Sequence, residues 1–210
     1  MSIDPLVQRL AFLREIDRLK SVIRKSPLLD RSRKENSAEH PWHLALYALL
    51  LHDLAGSPVN PPRVIQMLLI HDIVEVDVGD TPIHAGVPPR DQAEREAMAA
   101  ERLFGILPWP EGDALLALWR EFEAAETADA AFAKALDRAQ PLIANVSTGG
   151  GTWIENRLTL NQVLTRYGPS IAKGSPRLWA ACEALVRSHF STRPDASVEG
   201  DAFYEGPAVK

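Results

Sequence analysis

Cysteine is almost missing from this sequence. A lone Cys182 cannot close an intrachain disulfide and excludes a Cys-rich zinc site, so it reads as a small buried residue. A surplus of positive charge is missing too. The net charge is -5, whereas a nonspecific nucleic-acid binder needs a basic stripe. A small anionic ligand held by a few local arginines is not excluded. No uninterrupted apolar run approaches the roughly 20 residues that span a membrane. The opening Met-Ser-Ile-Asp-Pro-Leu lacks a basic stretch followed by an apolar one, so no signal peptide is expected and the expected location is cytoplasmic. Strand-like alternation and fixed-period repeats are not evident, nor is any low-complexity segment beyond a bias to alanine. What remains is 210 residues, 46% hydrophobic and 24% charged, enough for one soluble domain with a sizeable core.

Helical spacing fills that chain. Leu6, Leu10, Leu13, Ile16, Leu19 and Ile23 predict a helix over 5–24, stopped by Lys-Ser-Pro at 25–27. Residues 28–36 are polar and basic and read as a loop, with Ser37 as N-cap of the next helix and Pro41 in its first turn. The run 42–54 is apolar nearly all round, which predicts a central helix. Pro61-Pro62 starts another that runs through His71-Asp72 to about Val78. Further helices are predicted over 91–107, 111–124, 128–146 (capped by Thr127), 155–167 and 176–190, with Gly149-Gly-Gly151 as a flexible break. Trp42, Trp119 and Trp179 read as core, Trp109 as packing, and Trp153 as either packing or a pocket wall or dimer contact. The fold class is all-α, a single domain with buried central helices.

The chemistry lies in the histidines and acids of those helices. His, Asp and Glu suit a hard or borderline divalent cation. The candidates are His40, His43, His52-Asp53, His71-Asp72, Glu75 and Asp137. His71 and Asp72 point about 100° apart on a helix, so one ion between them needs further ligands from packed helices. Asp137 in a core helix needs a positive partner, which a cation would supply, or it pairs with Arg138 or Lys134 on a solvated face. If one helix spans 40–54, His52 lies about 18 Å along the axis from His40 and cannot share an ion with it. It reads as structural, near a helix end. His84, in a Pro/Gly loop, reads as exposed, and His189 as a residue favoured at a helix C-terminus. Glu75 sits one turn beyond His71, beside the place where a metal-bound water would stand. Asp80 follows Gly79 at the helix end.

His40, His71-Asp72 and Asp137 together resemble the H…HD…D signature of the HD-domain metal-dependent phosphohydrolases. The stretches Arg33-Lys-Glu-Asn-Ser-Ala-Glu-His40 and His71-Asp-Ile-Val-Glu-Val-Asp-Val-Gly-Asp-Thr81 are similar to the branch of bacterial 5′-deoxynucleotidases and their eukaryotic relatives. The resemblance implies an HD domain over residues 1–192 with a buried metal site, followed by an irregular tail over 193–210. It implies one divalent ion (Co, Mn, Mg, Zn, Fe or Ni) on His40, His71, Asp72 and Asp137. Glu75 and Asp80 are then catalytic, Glu75 at the attacking water and Asp80 near the sugar hydroxyl. Arg24 and Arg33 are then substrate-binding, offsetting phosphate charge. Lys25 stands where this branch has a tryptophan, which leaves the sugar preference open. Two-metal HD phosphodiesterases place extra histidines between the HD pair and the last aspartate, where this chain has only His84. The expected activity is hydrolysis of a small phosphomonoester, a nucleoside 5′-monophosphate first, by a homodimer with no nucleic-acid polymer or membrane as partner. Another phosphorylated metabolite, or a metal- and nucleotide-binding module with little turnover, is the alternative.

Overall fold

The computed structural model describes residues 4–81, 83 and 89–192, so His84 and the tail 193–210 lie outside the described residues. The chain opens with helix α1 (Pro5–Ile16) and a 3-10 turn (Asp17–Ser21), then a hairpin of strands β1 (Ile23–Pro27) and β2 (Lys34–Asn36). Helices α2 (Glu39–Leu51), α3 (Pro61–Ile70), α4 (Glu75–Val78), α5 (Pro89–Phe104), α6 (Glu111–Ala124) and α7 (Ala128–Ser147) follow. Helices α8 (Gly151–Glu155), α9 (Leu160–Gly174) and α10 (Pro176–Ser191) complete it. No described helix is long and apolar enough to cross a membrane.

The helix punctuation follows local chemistry. Asp4 caps α1, Asn60 caps α3 ahead of Pro61-Pro62, and Thr127 accepts from the Ala130 amide to start α7. Thr159 and Gln162 form a reciprocal capping box on α9. Ser37, expected as the cap of α2, makes no such bond. The Asn36 carboxamide does this work instead, accepting from the amides of Ala38 and Glu39 at 3.0 Å each.

Helix α7 is the centre. It packs on α9, α3, α10, α6 and α2, and its buried residues, from Ala130 to Asn145, face almost every direction. Six of those residues are alanines, and their small side chains let neighbouring backbones come close. At the tightest point a Cβ added to Gly174 of α9 would stand 2.1 Å from the Ala131 carbonyl oxygen of α7.

Several expectations are overturned. The run predicted to be central is apolar all round but buried on one face only: α2 buries His40, Pro41, Leu44 and Ala48, while Trp42 and Leu50 are 63% and 72% exposed. Hydrophobicity alone did not reveal which face meets a neighbour. The first helix stops at Ile16, and the stretch expected to be helix end and loop is the β1–β2 hairpin, with Ile23 opposite Asn36 and Pro27 opposite Lys34. Its inward residues are charged, so no apolar alternation betrays it. The helix predicted over 61–78 breaks at Ile70 into a 3-10 turn, His71–Val74. The helix expected over 155–167 lies instead at 160–174. The triple glycine is a defined turn: Gly149, Gly150 and Gly151 all have positive φ, and the Asn145 carboxamide accepts from the Thr152 amide and hydroxyl at 2.7 and 2.9 Å. Trp119 and Trp153 are buried, but Trp109 is exposed rather than packed.

The close α7–α9 contact is testable. Gly174→Ala should cost about 1–3 kcal/mol by overpacking against backbone. A denaturation midpoint equal to wild type would show that the two helices can move apart without cost.

Candidate metal centre

Four segments converge on one buried point. The hairpin brings Arg24 and Glu35, the first turn of α2 brings His40, the 3-10 turn after α3 brings His71 and Asp72, and α7 brings Asp137. Glu75 opens α4, and Asp80 follows Gly79, whose φ of +73° ends that helix where a residue with a Cβ would be strained.

His71 is held on three sides. Its Nδ1 stands 2.8 Å from the Leu68 carbonyl, its own carbonyl accepts from the Trp119 indole at 3.1 Å, and its ring lies 4.9 Å from that of Phe122. An imidazole that donates from Nδ1 to a carbonyl presents a bare Nε2. That Nε2 is buried with no hydrogen-bond partner, 3.0 Å from Asp72 Oδ1 and 3.5 Å from Asp137 Oδ1. His40, wholly buried, turns its Nε2 to within 3.2 Å of the same Asp137 oxygen. Ligand atoms of His40, His71 and Asp72 all lie within 4.8 Å of one another.

These donors fit a divalent cation. Adjacent ligands about 2.0–2.2 Å from one ion stand roughly 3–3.5 Å apart, and the His71–Asp72, His71–Asp137 and His40–Asp137 contacts have that spacing. A bare imidazole nitrogen facing two carboxylate oxygens in buried space lacks only a positive charge between them. Imidazole and carboxylate without thiolate suit Mn, Co, Zn, Fe, Ni or Mg more than a soft metal.

Around this point the acids are unusually dense. Arg24 Nη1 stands 2.9 Å from Asp72 Oδ2, 3.7 Å from Asp80 and 3.8 Å from Glu75. Burial, reinforced by Asp72 and opposed by Arg24, pushes the Glu75 carboxyl up to about 9. Burial likewise raises Asp80, against the pull of Arg24. Burial also opposes ionisation of Asp137, but Arg138 and the two imidazoles outweigh it and hold the carboxyl well below its usual range.

Two cavities meet here. One of about 130 Å³ opens over His71, Asp72, Glu75 and Asp137, with Lys134 and Arg138 on its wall. The other, of about 320 Å³, is lined by Lys25, Asn145, Asn156 and Tyr167 among others. Arg24, Asp80, Thr81 and Arg138 border both.

The structure therefore brings together His40, His71, Asp72, Asp137, Glu75, Asp80 and Arg24. Arg33 stands apart: it is exposed on the outer face, and its guanidinium forks onto Glu39 at 2.6 and 2.9 Å. Lys134, a sequence candidate to neutralise Asp137, instead donates to Glu123 at 2.9 Å and caps the Phe122 ring. Arg138 stays beside Asp137 at 3.8 Å. His52 is exposed at the end of α2, away from the cluster. His43 packs on Trp42 and Tyr47. Glu35 and Gln140 escaped the sequence reading as site residues. Nothing in a short polar segment or an alanine-rich helix marks which polar side chain turns inward.

A family model described as HD domain matches residues 16–179. The 5′-deoxynucleotidase HDDC2 of Bos taurus is 32% identical over 135 residues, 64% of this chain and 64% of that protein. The chain thus aligns with just under two thirds of the length of that relative. A crystal structure described as a predicted metal-dependent phosphohydrolase from Magnetospirillum magnetotacticum is 48% identical, with a TM-score of 0.84, covering 92% of this chain and 98% of that one. A conserved hypothetical protein from Pyrococcus furiosus shares the fold at 19% identity and a TM-score of 0.54, covering 85% and 99%.

Titration with Mn²⁺ should saturate at one ion per chain and raise the melting temperature, as any ligand of the folded state does. Asp137→Ala should remove both effects. Retention of tight one-to-one binding in that variant would overturn the ligand set.

Proposed function

Because the chain belongs to the HD domain family, we propose that it is a divalent-metal-dependent phosphohydrolase acting on small phosphomonoesters, nucleoside 5′-monophosphates above all, in the cytoplasm. The observation that carries this reading is the convergence of His40, His71, Asp72 and Asp137 beside a cavity that has both cations and acids on its wall. The names of the bovine and Magnetospirillum relatives support it.

His40, His71, Asp72 and Asp137 would hold a divalent cation, which when bound would polarise a phosphoryl oxygen and acidify water. The chain's own residues do the rest. Arg24, Arg138 and Lys134 border the smaller cavity and offset the charge of an entering phosphate. Arg24 holds Asp72 Oδ2, which leaves Oδ1 turned to the cluster. Glu75 is the proton carrier. Its carboxyl is raised by burial and by Asp72, and an added positive charge nearby brings it back toward the range where it exchanges a proton near neutral pH. We assign Asp80, which borders both cavities, to the sugar hydroxyl of the substrate. The larger cavity, with Asn145, Asn156, Tyr167 and Lys25, suits the polar edge and flat face of a nucleoside.

We assign the assembly as a homodimer. Supporting it are the apolar side chains left exposed on α1 and α2, Leu10, Leu13, Trp42, Leu49 and Leu50.

Purified protein with Co²⁺, Mn²⁺ or Mg²⁺ should release phosphate from nucleoside 5′-monophosphates. Asp72→Ala should abolish release and lower metal content. Glu75→Gln should lower kcat about 10²–10⁴-fold while metal content stays at wild type. Full activity in Asp72→Ala would sink the metal-dependent mechanism. Nucleotide-induced thermal stabilisation without product would identify a binding module instead, and turnover confined to non-nucleotide phosphomonoesters would move the substrate class.

A further inference from the structure

Glu35 is a buried charge that the mechanism above leaves without a task. It lies on β2, and its carboxylate is almost fully enclosed. Its Oε2 stands 3.5 Å from His40 Nδ1 and 3.4 Å from Arg24 Nε. All three of those atoms are buried and none makes a hydrogen bond, so Glu35 Oε2 faces both nitrogens at ion-pair distance. The other oxygen, Oε1, accepts from Gln140 Nε2 at 3.2 Å. Gln140 lies on α7, three residues after Asp137, so the helix that bears one site acid also anchors Glu35.

The two imidazoles of the cluster differ in how they are supported. His71 turns its Nδ1 to a carbonyl of its own chain segment, Leu68. His40 turns its Nε2 to the cluster, and its Nδ1 then faces the Glu35 carboxylate. A histidine offers a metal an unprotonated nitrogen, so its proton sits on the other one and needs an acceptor. A carboxylate in that place fixes the tautomer and the ring orientation and makes the ligand more basic. The same oxygen faces Arg24 Nε, while Arg24 Nη1 reaches Asp72. The guanidinium therefore spans Glu35 and Asp72.

We propose that Glu35 is a positioning residue that sets two partners at once. It accepts the Nδ1–H of His40, so that Nε2 is offered to the cation, and it holds Arg24 Nε, so that Nη1 stays on Asp72 at the border of both cavities. Cation binding and phosphate binding are coupled through this one carboxylate. The proposal rests on the metal-site reading, but its first test does not need turnover.

Mn²⁺ affinity is measured by calorimetry in wild type, Glu35→Gln and Glu35→Asp. Glu35→Gln should weaken Mn²⁺ binding about 10–100-fold, and Glu35→Asp, which keeps the charge, should recover part of the loss. At saturating Mn²⁺, Glu35→Gln should raise KM for a nucleoside monophosphate more than it lowers kcat, because Arg24 is loosened. Mn²⁺ affinity within twofold of wild type in Glu35→Gln overturns the His40 half of the proposal, and an unchanged KM overturns the Arg24 half. If Glu35→Gln does not fold, long-range ¹H–¹⁵N spectra of wild-type protein loaded with Zn²⁺ decide the His40 half. A protonated Nδ1 on His40 is expected, and a bare one overturns it. A wild type that binds Mn²⁺ yet hydrolyses no phosphomonoester refutes the proposed function, while the Mn²⁺ comparison still decides the role of Glu35.

Discussion

Burying several carboxylates in one place is the constraint around which this fold is arranged. Glu35, Asp72, Glu75, Asp80 and Asp137 crowd a space whose polar walls have little solvent to screen them. Each charge taken from water loses hydration, and each repels the others more strongly than it would at the surface. The arrangement holds only if positive charge is placed among the acids. Arg24 supplies one such charge, reaching Glu35, Asp72, Glu75 and Asp80 from the hairpin. The bare His71 Nε2 beside Asp72 and Asp137 marks the place for a second.

That requirement explains features that look incidental. The break after α3 puts His71 and Asp72 in a 3-10 segment, where the His71 Nε2 and Asp72 Oδ1 stand 3.0 Å apart beside Asp137. The alanines of α7 let α9 approach closely on one side while the helix carries Asp137 and Gln140 on another. Pro141, four residues after Asp137, has no N–H to donate to the Asp137 carbonyl and lines the larger cavity instead. The Asn145 carboxamide and the positive-φ glycines turn the chain sharply from α7 into α8, which places Thr152, Glu155 and Asn156 on the same cavity wall.

Much of this was legible in the sequence. The start at Pro61-Pro62, the cap at Thr127 and the stop at Gly79 depend on local backbone chemistry, which acts over a few residues and needs no tertiary partner. The candidate ligands were legible because His40, His71-Asp72 and Asp137 stand at a spacing that resembles a known family. The hairpin was not legible. Its inward side chains are Arg24 and Glu35, and charged residues normally mark a solvated face, so their alternation reads as loop. The exposed face of α2 was missed for the converse reason, since leucine and tryptophan suggest burial wherever they occur.

By itself the sequence determined the helical class, most helix boundaries and the identity of the four metal-ligand candidates, because periodicity, capping and residue chemistry are local. Only the tertiary structure decided which of two basic residues stands among the buried acids. Arg24 and Arg33 both lie in short polar stretches, and strand pairing sends Arg24 inward to four acids while Arg33 meets Glu39 on the outside. It also decided that Glu35 backs His40. Burial is a property of what packs against a residue, and for a charge in a polar segment that partner lies far away in the chain.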